Sequence, residues 1–295
     1  MSTTRAANHT PSENWVSIGN LEVRYLDWGG YGTPVLALHG LASSANWYDL
    51  IAPHLSEYHR VIAPDQRGHG QTTQATSGYD GDTLSRDILG LMDHLDIPKV
   101  AVFGHSWGAG VALNVAARFP ERIVALGLID GGLSRGDGPA RTWDEVKATV
   151  KPRDVTGTRE EFLNRLRTQL AFCWNNDVER IVQTMVYEDD QGLIQDILRP
   201  ENHIQVMQAM FEEPTSDWYP KVACPTVIIP AGPTSERATS ERTRIKQERV
   251  EVASQSIRNC RVKWIPETVH DIGYHKPREL AQVIRAFLAE SSNAT

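Results

Sequence analysis

Apolar residues along this chain gather in short unbroken runs, each closed by turn-forming residues. The run 34–38 ends in His39-Gly40, 61–63 in Pro64-Asp65, 100–103 in Gly104, and 123–129 in Asp130-Gly131-Gly132. Two further runs, 227–229 and 262–265, lie late in the chain. Runs without polar alternation fit strands of a parallel sheet covered on both faces. Residues 15–28 instead alternate apolar and polar around Gly19-Asn20, the pattern of a hairpin at a sheet edge. Helical spacing fills the intervals. In 82–95, Leu84, Ile88, Leu91, Met92 and Leu95 share one stripe, and 109–119, 243–257 and 278–288 also read as helices. Strands alternating with helices predict a doubly wound, mostly parallel α/β architecture.

One stretch breaks this rhythm. Residues 133–219 hold no run of the strand type but carry helical patterns at 160–170 and 191–198. Aromatic and methionine side chains (Trp143, Trp174, Tyr187, Met207, Met210 and Phe211) are scattered through it. They could line an apolar pocket or form a small core of their own. The predicted organisation is therefore a core made of 1–132 and 220–295, with 133–219 inserted as a helical cap.

Composition narrows the function classes. Apolar residues make up 40% of the 295 and the net charge is −7, so the chain should fold, and polyphosphate or an anionic membrane surface is disfavoured as a partner. No apolar run reaches the length of a membrane span, and the first dozen residues are polar, expected to be loosely ordered, with no signal-peptide core. Three scattered cysteines, Cys173, Cys224 and Cys260, read as buried reduced thiols of a cytoplasmic protein. No metal-ligand, phosphate-loop or dinucleotide motif occurs, so no cofactor or metal is expected. The expected partner is a small-molecule substrate.

The chemical signal is Gly104-His105-Ser106-Trp107-Gly108, a G-x-S-x-G motif with a buried strand running in and a helix running out. Such a turn strains the backbone at the nucleophile and requires small residues two positions away on either side. It aims Ser106 at a helix N-terminus, where backbone N–H groups favour developing negative charge. The amide of Trp107, next after the nucleophile, is one expected oxyanion donor. A serine hydroxyl also needs a base. His270 follows the last strand and precedes the final helix; His275, five residues on, is its competitor.

With His39-Gly40, the loop Asp65-Gln66-Arg67-Gly68-His69-Gly70 and the serine turn, the chain resembles the α/β-hydrolase superfamily over nearly its whole length. Gly-His-x-Trp-Gly followed by Phe119-Pro120-Glu121-Arg122 is similar to the haloalkane dehalogenase and epoxide hydrolase group. Those enzymes carry aspartate at the nucleophile position, and Ser106 departs from them toward acyl transfer. The resemblance implies that His270 is the base and that the Leu41 amide is the second oxyanion donor. It also implies an acid in the loop after the seventh core strand, but that position holds Ser235. Two substitutes remain: Glu236, one residue on, and Asp130, at the end of the sixth strand. Asp130, short and on a rigid strand end, is preferred. Asp65 reads as a structural turn residue.

The leading reading is hydrolysis of a carboxylic ester, lactone or thioester of a small apolar molecule through an acyl-enzyme. A ligand receptor with an idle triad, or cofactor-free lyase, perhydrolase or oxygenase chemistry, would use the same fold and motif.

Overall fold

The computed structural model describes residues 10–134, 142–151 and 155–292. Its strands are β1 (Ser12–Ile18), β2 (Leu21–Asp27), β3 (Val35–Leu38), β4 (Val61–Pro64), β5 (Val100–His105), β6 (Ile123–Ile129), β7 (Val186–Glu188), β8 (Ile194–Asp196), β9 (Thr226–Ile229) and β10 (Cys260–Val262). Its helices are α1 (Ala52–Leu55), α2 (Gly81–His94), α3 (Trp107–Arg118), α4 (Trp143–Lys147), α5 (Arg159–Gln169), α6 (Asn176–Gln183), α7 (Pro200–Glu212), α8 (Glu241–Ser256), α9 (Ile272–His275) and α10 (Pro277–Ser292).

Eight strands form one sheet in the order β1-β2-β4-β3-β5-β6-β9-β10. The β1–β2 and β2–β4 pairs are antiparallel, and every pair from β4 through β3 to β10 is parallel. The unbroken apolar runs follow from burial on both faces. Successive strand side chains point to opposite sides. In β5, Ala101 and Phe103 therefore join the core layer with α1 and α10, while Val100 and Val102 join the layer with α2, α3 and α8. Val100, Val102 and Phe103 are fully buried. Each such side chain contributes about 1.5–3 kcal/mol relative to leaving it in water. The hairpin expected in 15–28 is β1–β2, turning at Gly19 with φ +60°. Asp80 caps α2 by accepting from the Thr83 amide.

The segment between β6 and β9 contributes no strand to this sheet among its described residues. Thr158 and Glu161 form a capping box that starts α5, and Asn175 caps α6. Phe162, Val178, Ile181 and Val182 pack on the α1–α10 side of the core. Asn202 and Gln205 of α7 donate to the carbonyls of Ala75 and Thr76 at 3.0 Å each.

Three expectations are corrected. Residues 191–198 are not helical: β7 and β8 form an antiparallel hairpin there. The Asp189 carboxylate accepts from the amides of Gln191 and Leu193, and Gly192 takes φ +75°, so local turn chemistry overrides the apparent helical period. Ser12 already belongs to β1, within the dozen residues expected to be loose; the first nine lie outside the described residues. Of the three thiols, Cys224 is buried, whereas Cys173 and Cys260 are half-buried.

Candidate active site

β5 ends at His105 and α3 begins at Trp107, so the chain reverses at Ser106 alone. Ser106 has φ +54° and ψ −117°, a left-handed conformation that L-residues rarely adopt. The flanking glycines make the turn possible. A Cβ at position 104 would lie 2.0 Å from the Gly108 carbonyl oxygen, and one at 108 would lie 2.4 Å from the carbonyl oxygens of Leu38 and His39. The turn projects the hydroxyl from the carboxyl edge of the sheet, beside the N-terminus of α3.

His270 approaches from the loop between β10 and α9. Its Nε2 lies 2.9 Å from Ser106 Oγ, and its Nδ1 lies 2.7 Å from Asp130 Oδ2. Asp130 directly follows β6, which lies between β5, the strand leading to Ser106, and β9; its side chain is 3% exposed. Facing an ionised carboxylate, Nδ1 carries the ring proton and donates it, which leaves Nε2 free to accept from the serine hydroxyl. The structure thus joins Ser106, His270 and Asp130. Glu236 is exposed on a short turn and does not reach His270. His275 pairs with Thr268 Oγ1 at 3.0 Å instead. Asp65 accepts from the amides of Ala45 and Gln71 and from Arg24, which accounts for it as a loop-building residue.

Burial by itself would raise the Asp130 carboxyl. The hydrogen bond from His270 and the charge of Lys246 outweigh burial and hold its pKa down at about 2. Withdrawal from water by itself would lower His270, but the hydrogen bond and charge of Asp130 prevail and raise it above the ordinary histidine value. His105, buried against the other face, is pushed down to about 3 by desolvation and is neutral.

Gly40 follows β3 directly against the turn: a Cβ there would sit 3.2 Å from Ser106 Cβ. The amide of Leu41 therefore lies in the loop bordering the hydroxyl. The Trp107 amide, at the first position of α3, has no intrahelical acceptor. A cavity of about 490 Å3 opens from Ser106 and Trp107 and runs along α3 to Asn114. Its far wall comes from the segment between β6 and β9, including Leu133, Val206, Met207, Met210 and Phe211. Trp143 backs Phe211, their ring centroids 5.8 Å apart. Trp174 packs instead on the α1–α10 core layer, and Tyr187 is exposed. Among the described residues, no cluster of three His, Cys, Asp or Glu side chains could hold a metal ion. No helix among them is long and apolar enough to cross a membrane.

Two participants escaped sequence reasoning. Lys246 of α8 binds the Asp130 carboxylate, and His105 binds the backbone of His270. Lys246 sits among many charges on a polar helix and carried no distinguishing signal. His105 read only as a neighbour of the nucleophile.

A family model described as the alpha/beta hydrolase fold matches residues 33–191, more than half of the chain. The chain belongs to the α/β-hydrolase family. It is 40% identical over 120 residues to the dihydrolipoyllysine-residue acetyltransferase component of an acetoin cleaving system from Pseudomonas putida, covering 40% of this chain and 32% of that protein. It is 39% identical over 113 residues to a soluble epoxide hydrolase from Corynebacterium sp. (strain C12), covering 37% of this chain and 39% of that one. These matches span only about a third of their relatives' length. An E-2-(acetamidomethylene)succinate hydrolase superposes with a TM-score of 0.77 at 20% identity, over 95% of this chain and all of that one. At that identity the likeness establishes the α/β-hydrolase fold alone.

Proposed function

We propose that this α/β-hydrolase is a serine hydrolase that cleaves a carboxylic ester, lactone or related acyl bond of a small apolar molecule through an acyl-enzyme. The reading rests on one observation: Ser106 Oγ, His270 and Asp130 are joined by contacts of 2.9 and 2.7 Å at the mouth of a largely apolar cavity.

In this mechanism His270 Nε2 takes the hydroxyl proton as Ser106 Oγ attacks the carbonyl carbon. The carbonyl oxygen becomes an oxyanion facing the Leu41 and Trp107 amides, and one such donor is worth roughly 3–4 kcal/mol in the transition state. As the tetrahedral intermediate collapses, imidazolium Nε2–H protonates the departing alkoxide. Water, deprotonated by His270, then attacks the acyl-serine and releases the acid. Serine in place of the aspartate of the epoxide hydrolase group supports acyl transfer over ring opening, since a serine acyl ester is readily hydrolysed by the same base. In this reading residues 133–219 form the cap that shapes the acyl or alcohol site, over a core of 1–132 and 220–295.

The test is labelling with a fluorophosphonate together with turnover of short p-nitrophenyl esters. Labelling at Ser106 and a loss of at least about a thousandfold in Ser106→Ala, with the unfolding midpoint unchanged, is the expected result. An unlabelled serine and no ester turnover would reject the proposal.

A further inference from the structure

Asp130 holds more than the base. Its Oδ1 accepts from the Ala231 amide at 2.9 Å and from Lys246 Nζ at 2.8 Å. Its Oδ2 faces His270 Nδ1 at 2.7 Å and Lys246 Nζ at 3.1 Å. A carboxylate offers about four acceptor sites, and here all are used. Lys246 Nζ also donates to the Ala231 carbonyl at 3.3 Å. The ammonium therefore ties the ends of β6 and β9 to helix α8 through the acid itself. The Lys246 side chain is 29% exposed while that of Asp130 is 3% exposed, so the pair is shielded on the carboxylate side.

We propose that Lys246 is a positioning residue for the Ser106–His270–Asp130 array, clamping both carboxylate oxygens and setting how strongly Asp130 draws the His270 proton. The proposal rests on the acyl-transfer reading for its kinetic consequence but not for its effect on His270.

Asp130 sits at a strand end with φ +42°, and its side chain could rotate about the Cβ–Cγ bond if only one oxygen were held. Bonding both oxygens to one ammonium fixes the carboxylate plane, so Oδ2 stays aimed at Nδ1. The charge acts as well. The ionisable groups facing His270 are Asp130 from β6, Lys246 from α8, His105 from β5 and Asp271 beside it in the chain. Asp130 and Asp271 raise the proton affinity of the imidazole, and Lys246 opposes them. Without that opposition the imidazole would hold its proton to higher pH and be a scarcer base near neutrality.

The experiment follows the His270 ring resonances by NMR across pH in the wild type, Lys246→Gln, Lys246→Met and Lys246→Arg. Glutamine keeps a hydrogen-bond donor and removes the charge, so its His270 titration should move to higher pH; arginine should return it toward the wild-type position. Lys246→Met loses the clamp as well, and kcat on a p-nitrophenyl ester should fall about tenfold or more with KM little changed, the loss expected for one charge-assisted hydrogen bond. A His270 titration unmoved or lowered in Lys246→Gln overturns the proposal, whatever the unfolding temperatures. If the wild type hydrolyses no ester, the acyl-transfer reading fails, and the NMR titration still decides the role of Lys246.

Discussion

The Nε2–H of His105 donates to the carbonyl oxygen of His270 at 3.0 Å, so the residue before Ser106 holds the backbone of His270. The imidazole also stacks on Trp47, with centroids 4.0 Å apart and planes 11° apart, and Trp47 Nε1 reaches Asp271 Oδ1 at 3.4 Å. Burial keeps the ring neutral, and its carbonyl partner makes Nε2 the protonated nitrogen. Replacing His105 with Phe preserves an aromatic ring against Trp47 but leaves the carbonyl only its second donor, the Ile272 amide at 3.0 Å. The expected cost is that of one net hydrogen bond, about 0.5–1.5 kcal/mol of stability, with kcat reduced more than KM is altered. Urea unfolding and steady-state kinetics on the variant check this; two unchanged parameters would show that the loop needs no such anchor.

The acid is decided by paired substitutions. Asp130→Asn removes the charge that orients His270 and stabilises its protonated form, and kcat should fall by about two orders of magnitude or more. Glu236→Gln, on an exposed turn away from the base, should leave kcat within about twofold, as for surface changes remote from the chemistry. Equal losses in the two variants would return the choice of acid to an open question.

Protonation of His270 removes the lone pair that receives the serine proton. Because Asp130 raises this imidazole, kcat/KM should fall as pH drops through a midpoint above the ordinary histidine value of about 6.5. The stability linked to the same group runs the other way: it is present below the unfolded-state pKa and is lost as pH rises through the folded one. For Asp130, whose pKa is held down at about 2, the linked stability is present above its unfolded value and is lost as pH falls toward 2. A pH–rate profile flat down to pH 5, on a substrate for which chemistry limits the rate, would contradict the acid limb.

The cavity wall separates two residues that the sequence left equivalent. Met207 borders the cavity, whereas Trp174 packs on the α1–α10 core layer with Arg167 5.8 Å above its ring. Met207→Ala should shift the preferred acyl-chain length upward by enlarging the site, with little change in turnover of an acetate ester. Trp174 is only partly buried, so Trp174→Ala should lower stability by about 1–2 kcal/mol, less than for a core tryptophan, and leave chain-length preference alone. A p-nitrophenyl ester series from acetate to decanoate, run beside thermal unfolding, distinguishes these outcomes.

Local physics carried most of this protein's reading. Residues 100–103 could be recognised as a buried strand because both of its faces meet apolar layers, and the G-x-S-x-G turn declares itself because its glycines answer contacts made within a few residues. His270 was legible for a related reason: it lies between the last strand and the final helix, at the edge where strand ends converge. Residues 191–198 satisfy a helical period by chance, and only the Asp189–Gly192 turn, which makes them the second half of a hairpin, breaks it. Between Asp130 and Glu236 the sequence offered only a preference for the short side chain on a rigid strand end, since both lie in loops at the carboxyl edge; the contact itself depends on which strand end passes within 2.7 Å of His270, a matter of sheet order. Lys246 lies 116 residues from Asp130, and α8 buries only Thr243, Val250 and Ala253, so nothing periodic marks the lysine. Its meeting with Asp130 is settled by how α8 packs beside β10 at the sheet edge, because contacts between distant side chains arise from the packing of whole elements and leave no pattern within either one.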